Sequence, residues 1–536
     1  MSANTGSGVC VPAPALKRRS FNFGFLRRSA PIWKPAASYF ALLGICTFIS
    51  WFIVHFGRWQ YGSWDYNTLV DTGWRQILGQ RPYVDFPTTT PPGFNLGIKL
   101  AYALFGVSWD AMLYFTALFA VATFLWTYWL MMRLSVARPA AIAVGFAIQC
   151  TAMLTGCFWW FNSSTLIMAA VFFLSCLALA QPSSIRGAQV SYVISLALFS
   201  LTKPNIAGPL ILAGIMLLAT VSQNRKRLLG LTLAAAAIGI ALLVVNHVSI
   251  SALFANYRAV AKGRLGPGKR YGSMSHEALF WIVGLSIPLL GLFSRRARRA
   301  YRKDWKAFAI GVFCCTSLFV ALYGLITNSD VPELECTVLL AAGGVLIFGL
   351  RWSEPLLRTQ FVILLGLSIW QSISTGISRN RVETIGPHAF FEPADNEHPI
   401  TTGYLKNMRV SSTMIAVEQE VAQAKASNSG PFFFGPRLEF NYAVLGLPSP
   451  EHSPVLWDPG AAFAESDEAK FINTWQDHHF ETLIFLNARN PLFPAGMAYT
   501  FYPLEFIGVI DRDYVVDTSY SYIMVLHRRA VGPAQQ

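Results

Sequence analysis

From Pro139 to Ile185 the chain carries no charged residue, and a stretch of that length and chemistry has few structural options. In water it would have no polar face to offer the solvent. In a bilayer it is long enough for two helices, each needing about 20 mostly apolar residues to cross. Its middle, Cys157-Phe-Trp-Trp-Phe-Asn-Ser-Ser164, combines the aromatics and small polar residues suited to a hairpin turning at a membrane interface. The rest of the chain follows the same pattern. Of its 536 residues 54% are hydrophobic and 13% charged, where soluble domains hold about a quarter charged. The mean hydropathy is +0.42. Disorder, collagen-like repeats and a disulfide scaffold are excluded. A net charge of +14 would suit nucleic acid if it formed one surface. Its clusters instead fall between apolar runs, as topology signals do, so no nucleic-acid partner is expected.

Apolar runs predict spans at roughly 35–56, 110–132, 138–156, 160–181, 188–202, 205–222, 228–248, 277–294, 306–327, 335–351 and 358–374. The pair 188–202 and 205–222 is split by Thr202-Lys203-Pro204, where proline biases the preceding residue away from helix. Lys17, Arg18, Arg19, Arg27 and Arg28 precede the first span. Counting alternately from a cytoplasmic N-terminus, Arg133 and Arg138, Arg186, Arg225-Lys226-Arg227, Arg295 to Arg299, and Arg351 and Arg358 all fall on the inner side. No h-region precedes the first basic cluster, so no cleaved signal peptide is expected. The expected fold is a polytopic α-helical membrane protein with about 11 transmembrane helices and a small C-terminal α/β domain on the outer face. Its parts are a cytoplasmic tail over 1–33, a membrane domain over 34–375 with a long outer loop at 57–109, and the outer domain over 376–536. In that last part an amphipathic helix is predicted near 406–427, and strands at Pro431 to Phe434, Thr482 to Phe485 and Tyr520 to Leu526. All the cysteines lie before it, and a disulfide between Cys157 and Cys336 is one option at the outer face.

No P-loop, dinucleotide fingerprint, HExxH or paired CxxC occurs. His478-His479 reads as a surface pair, and Asn162-Ser-Ser fits a glycosylation sequon but abuts the membrane. The 57–109 loop is richer. It runs Ser63-Trp-Asp65-Tyr-Asn-Thr-Leu-Val-Asp71-Thr-Gly-Trp-Arg75, then Gly79-Gln-Arg-Pro-Tyr83-Val-Asp85-Phe, Thr88-Thr-Thr and Pro91-Pro-Gly-Phe94-Asn. Carboxylates just above a membrane, beside aromatics and a rigid Pro-Pro turn, suit a general base facing a lipid-borne substrate. They suit equally a solvated loop whose acids cap short helices.

An early Asp, then Gly-x-x-Pro-Tyr-x-Asp-Phe, then Pro-Pro-Gly resembles the first outer loop of the GT-C membrane glycosyltransferases. That superfamily includes the protein O-mannosyltransferases and the lipid A aminoarabinose transferases. The likeness continues in Leu104-Phe-Gly-Val-Ser108, Leu201-Thr-Lys203-Pro204 and Phe433-Phe-Gly-Pro436, followed by Leu445, Leu447 and Pro448. The resemblance implies a GT-C-like fold in a bacterial inner membrane, with the C-terminal domain periplasmic. It implies transfer of a sugar from a polyprenyl-phosphate carrier to a lipid, glycan or protein acceptor of the cell envelope.

By the same resemblance Asp65 matches the family's catalytic base. Many members have an acid immediately after it; here that neighbour is Tyr66, so a second acid falls elsewhere, on Asp71 or Asp85. Asp85 is expected to orient the loop, and Tyr83 to line the substrate site with it. The leaving phosphate needs positive charge. Lys203 is one candidate, and Arg258, Lys262, Arg264, Lys269 and Arg270 are others, with Gly263, Gly266 and Gly268 able to let that segment move. A snorkelling lysine and a basic loop over anionic headgroups are the competing readings. The resemblance fixes no cofactor: some GT-C enzymes use a divalent cation and others do not, and the candidates to hold one are Asp330 and Glu333, beside Glu335. Two other function classes compete. A transporter or flippase of a lipid-linked sugar would place ionisable groups within its spans, and these spans hold almost none. A non-catalytic scaffold would have no use for Asp65 in its motif.

Overall fold

The structure, a computed structural model, describes residues 35–59, 66–154, 157–181, 186–221, 224–264, 334–345, 398–457, 465–487, 504–517 and 520–529, with single positions at 362–373, 463 and 502. The predicted spans at 277–294 and 306–327, and most of 358–374, lie outside the described residues, as does residue range 1–34. Most of what is described is helix. The helical part comprises α1 (Pro35–Gly57), α4 (Trp109–Arg133), α5 (Arg138–Gln149, continued by a wide turn over Cys150–Leu154), α6 (Phe161–Leu179), α7 (Arg186–Ser200), α8 (Pro204–Val221), α9 (Arg225–Val245) and α11 (Leu334–Gly344). Between them lie α2 (Tyr66–Ile77), α3 (Pro92–Phe105) and α10 (Ile250–Arg264).

Four helices among the described residues, α1, α4, α6 and α9, are long and apolar enough to cross a membrane. Their burial separates centre from perimeter. The apolar window of α6 is 83% buried, against 22% in α1 and 17% in α9. A helix apolar on every side belongs in a core or in lipid. Here α6 takes the core, packed by α4, α7 and α11, while α1 and α9 present Phe40, Leu43, Leu233 and Val245 outward. Hydroxyls inside these helices bond back along their own turn, as Thr116 does to Met112 O at 2.7 Å and Ser175 to Val171 O at 2.8 Å. Others link helices, as where the Trp126 indole donates to Ser191 at 2.7 Å. Both devices give these donors a partner inside the helical part. The predicted break is present: α7 ends at Ser200 and α8 starts on Pro204, whose fixed φ and missing N–H suit the first turn.

Among its described residues the 57–109 segment, expected as a loop, holds both α2 and α3. The end of α1 is fixed to the start of α4 by Arg58, whose guanidinium donates to both Asp110 oxygens at 2.9 Å. Asn407 from the C-terminal tail donates to the same carboxylate at 2.7 Å, and Trp109 N donates to Tyr404 O at 3.1 Å. The tail therefore sits directly on this end of the helical part.

Beyond residue 410 the tail forms α12 (Ser412–Ser427), α13 (Asn441–Leu445), α14 (Glu468–Asp477) and α15 (Leu504–Asp513) around one sheet. Its strands β1 (Phe432–Phe434), β2 (Thr482–Leu486), β3 (Tyr514–Asp517) and β4 (Ile523–Arg528) lie in the order β1-β2-β4-β3. β1 and β2 are parallel, and the other pairings antiparallel. Alternation sends Phe432, Phe434, Ile484 and Val525 to one face, against α12, and Phe433, Leu483, Phe485 and Leu526 to the other, against Trp475 and Phe506. With both faces covered, β1 and β2 read as unbroken apolar runs. Ser411 caps α12 by accepting from Met414 N at 3.2 Å. Glu420 on α12 accepts from the backbone N–H of Ser521, Tyr522 and Ile523 at 3.1, 2.7 and 3.0 Å, which ties the helix to β4. The predicted helix starts later, at Ser412, β1 and β2 fall within one residue of expectation, and β4 is shifted toward the C-terminus, running from Ile523 to Arg528. β3 was not expected: it is a short edge strand with Val515 and Val516 exposed. The optional Cys157–Cys336 pairing is not formed: Cys157 is buried outside any disulfide, and its thiol donates to Leu154 O at 3.1 Å.

Candidate functional site

The turn at 81–86 is built around two side chains. Asp85 accepts from Arg81 N at 2.7 Å and from the Arg81 guanidinium at 2.9 and 2.8 Å. That clamp holds its carboxyl below the usual carboxylate range and ties the two ends of the turn together. Tyr83 has φ +66°, a left-handed conformation that few non-glycine residues adopt without local support. Support comes from its hydroxyl, which donates to Thr90 O at 2.5 Å and accepts from Asn95 Nδ2 at 3.2 Å. Thr90 Oγ1 donates to Asn95 Oδ1 and shares a 2.8 Å bond with Thr88 Oγ1. Burial pushes the Tyr83 phenol well above its ordinary value, so it acts as a neutral hydrogen-bonding group. Onto this knot docks α10: Asn256 donates to Thr88 O at 2.8 Å, and the Tyr257 ring lies edge-on to Tyr83 at 6.5 Å. The next residue, Arg258, is exposed. Lys262 and Arg264 belong to the last turn of the same helix, with side chains outside the described residues; Lys269 and Arg270 lie wholly outside them.

A second junction joins three sequence motifs that are far apart in the chain. Gly93, in the Pro-Pro-Gly turn, donates its N–H to Leu201 O at 2.8 Å. A Cβ at that position would meet the same oxygen at 2.9 Å, so the close approach needs glycine. Phe94 stands edge-on to Trp160 and Phe161, each at 5.8 Å, and its carbonyl accepts from the Trp159 indole at 3.1 Å. Lys203, two residues beyond the Leu201 contact, is half-buried. Its Nζ donates to Asn162 Oδ1 at 3.2 Å and lies 5.4 Å from the centre of the Phe161 ring, while its backbone N–H donates to Thr165 Oγ1 at 3.2 Å. An amide oxygen and an aromatic face orient the ammonium. Gly93→Ala is expected to force the turn off Leu201, at a cost of about 1–3 kcal/mol. A lower melting temperature together with reduced activity should follow, and unchanged values of both would mean the junction has no role.

The third feature is a buried pair on α2. Arg75 Nε donates to Asp71 Oδ2 at 2.6 Å, with both side chains almost fully excluded from solvent. Ser449 Oγ in the tail donates to Asp71 Oδ1 at 2.6 Å. Arg75 Nη1 donates to Pro450 O at 2.8 Å and Ser453 O at 3.1 Å, and its guanidinium lies over the Phe86 ring at 5.2 Å. Burial raises the Asp71 carboxyl above its ordinary value, with Arg75 and Ser449 pulling it back. Asp71 is thus engaged in holding α2 to the tail. Beside this seam lies a cleft of about 580 Å³ between Leu78 and Gln80 on one side and Pro431, Glu451 and His478 on the other.

Asp65 lies outside the described residues; α2 begins at the next residue, Tyr66. Asp330 and Glu333 lie outside them too, and among the described residues no group of three His, Cys, Asp or Glu side chains is placed to hold a metal ion. Sequence reasoning missed Asn162, Asn95, Asn256, Tyr257 and Ser449. These are neutral polar residues without a local pattern. Asn95 closed the Pro-Pro-Gly-Phe-Asn run without a role of its own, and Asn162 stood in a sequon, whereas in the fold it holds Lys203.

No protein-family model matches the chain, and no curated protein matches it in sequence. Solved structures do match. The crystal structure of ArnT from Cupriavidus metallidurans bound to undecaprenyl phosphate aligns with a TM-score of 0.54 at 13% identity, over 93% of this chain and 100% of that one. ArnT from the same organism in the apo state aligns at 0.51 and 14% identity, over 93% and 99%. The archaeal oligosaccharyltransferase AglB from Archaeoglobus fulgidus, in complex with an inhibitory peptide and a dolichol-phosphate, aligns at 0.45 and 12% identity, over 93% and 75%. At these identities the likeness to ArnT is one of fold, and it extends over nearly the whole chain.

Proposed function

We propose that this chain, which has the GT-C fold seen in ArnT, is a membrane glycosyltransferase that moves a sugar from a polyprenyl-phosphate carrier to a cell-envelope lipid, glycan or protein. The observation that carries this reading is the junction of Pro91-Pro92-Gly93 with Leu201-Thr202-Lys203 and Phe161-Asn162, which holds an oriented cation where the first loop meets the helical part. In the reaction an acceptor hydroxyl or amine attacks the anomeric carbon, the carbon–oxygen bond to phosphate breaks, and polyprenyl phosphate leaves. Asp65 takes the acceptor's proton. Lys203, with Arg258 and the basic end of α10, offsets the charge that develops on the leaving phosphate. Asp85 and Tyr83 act less directly, by shaping the turn onto which α10 docks. The domain limits of 1–33, 34–375 and 376–536, the count of about eleven spans and the periplasmic C-terminus belong to the same proposal.

The reading is tested by incubating the purified protein with radiolabelled polyprenyl-phosphate sugars and candidate acceptors, with and without a divalent cation. Transfer of label supports it; movement of intact lipid-linked sugar across a vesicle without transfer would instead mark a flippase. Lys203→Ala should weaken donor use by roughly tenfold to a hundredfold, the worth of one charge-assisted contact of about 1.5–3 kcal/mol, at unchanged expression. Unaltered donor affinity in that variant would place the phosphate elsewhere. For topology, a reporter fused after Gln536 should be active only in the periplasm, and cytoplasmic activity would overturn the orientation.

A further inference from the structure

We propose that the tail segment from Leu447 to Ser453 positions the catalytic loop, and that Ser449 and Arg75 are positioning residues acting through α2 on Asp65; this rests on the reading of Asp65 as the base. The residue after Asp65 opens α2, so the placement and roll of that helix set where a group at its start can reach. A short helix held on one face can still roll about that contact. On one side α2 lies against α3, where Gly73 leaves no room beside Ile98 and Tyr102, and Gln76 donates to Asn95 O at 3.0 Å. Further restraints come from the tail.

They come as polar bonds with defined direction. Trp74 Nε1 donates to Leu447 O at 2.8 Å, and Gln80 Nε2 donates to Ser449 O at 2.7 Å. Ser449 Oγ reaches Asp71, and Arg75 spans from Asp71 to two tail carbonyls. Below the helix the seam continues through His452 N to Asp85 O at 2.5 Å and Val455 N to Pro87 O at 3.3 Å. Apolar packing would hold α2 to the tail in several neighbouring rolls. A carboxylate bonded on one oxygen by Arg75 and on the other by Ser449 accepts only one, because a buried charge cannot exchange its partners for water. Pro448 and Pro450 flank Ser449 and restrict the backbone that presents it. The tail thereby does more than cover the helical part: it determines the angle at which the first loop meets the substrate.

The test uses the full-length protein in nanodiscs with a donor that the wild type turns over. Ser449→Ala removes one bond without stranding a charge, so it should fold. It is expected to lower kcat by about tenfold with donor KM little changed, because misplacing a reacting group by a fraction of an ångström acts on the chemical step. Hydrogen exchange should quicken in Tyr66–Ile77 but not in α6 or the sheet, and Ser449→Thr should restore most of the rate. Faster exchange with kcat unchanged, or a rise in KM alone, would overturn the positioning role, as would unaltered exchange. Asp65→Asn run in parallel separates the two claims. If the wild type transfers nothing, or Asp65→Asn transfers as well as wild type, the assignment of the base fails, and exchange at 66–77 alone decides whether the seam orders α2.

Discussion

Asp65→Asn is expected to reduce turnover by roughly a hundredfold or more, while leaving expression and donor binding near those of the wild type. The substitution keeps size and hydrogen-bonding capacity but removes proton acceptance, and a positioned general base contributes on the order of 10²–10⁴ in rate. The loss should fall on kcat, since the interaction is made mainly in the transition state. Asp71→Asn separates this outcome from a general disturbance of the loop. Asp71 is wholly buried and bonded to Arg75 and Ser449, so its substitution should cost stability first and rate only through α2. Near-normal transfer by Asp65→Asn would remove the mechanism proposed here. Comparable losses at both positions, with comparable drops in melting temperature, would point to misfolding of α2.

Arg75→Met should produce the largest stability effect in the first loop. It removes the cation from a pair in which both side chains are almost fully buried, leaving Asp71 with Ser449 as its remaining hydrogen-bond donor. Breaking a buried pair in this way costs about 3–5 kcal/mol. The sign of the pH dependence follows from Asp71, whose carboxyl is already raised by burial and rises further once Arg75 is gone. A carboxyl raised in the folded state binds more protons there than in the unfolded chain. The penalty is therefore full above the raised folded value and shrinks as pH falls toward the ordinary carboxylate value of about 4. The melting-temperature deficit of Arg75→Met should thus be greater at pH 8 than at pH 5.5. Adding Asp71→Asn should recover much of it at pH 8, because no unpaired charge then remains. Equal deficits in the single and double variants at both pH values would mean that the pair contributes through packing alone.

Run length, alternation and proline were sufficient to place many elements. The helices at 35–57, 109–133, 161–179 and 225–245 each follow from a long apolar stretch, since little but a helix satisfies its own backbone in hydrocarbon. The break at Thr202-Lys203-Pro204 follows from proline sterics, and β1, β2 and β4 from short apolar or alternating runs. The 57–109 segment stood out by its chemistry but was not legible as structure. Its charged and aromatic residues read as a loop, whereas α2 and α3 are helices stabilised by what they pack against. The acids in it were visible, and their fates were not. Asp85 turned out to be clamped by Arg81, and Asp71 by Arg75 and a serine of the tail.

By itself the sequence determined that this protein is a membrane-embedded helical bundle followed by a polar tail with strands. Those outcomes depend on properties of contiguous residues: hydrophobicity, period and backbone sterics. The tertiary structure alone decided which motifs meet. Gly93 reaches Leu201, Lys203 reaches Asn162, Asn256 reaches Thr88, and Ser449 reaches Asp71. Each of these contacts joins segments that share no periodicity, and each involves a neutral side chain or backbone group whose value depends on burial beside its partner. A hydrogen bond adds little at the surface, where water competes for both partners, and much in a dry junction. That difference is set by packing, which no local stretch of sequence contains.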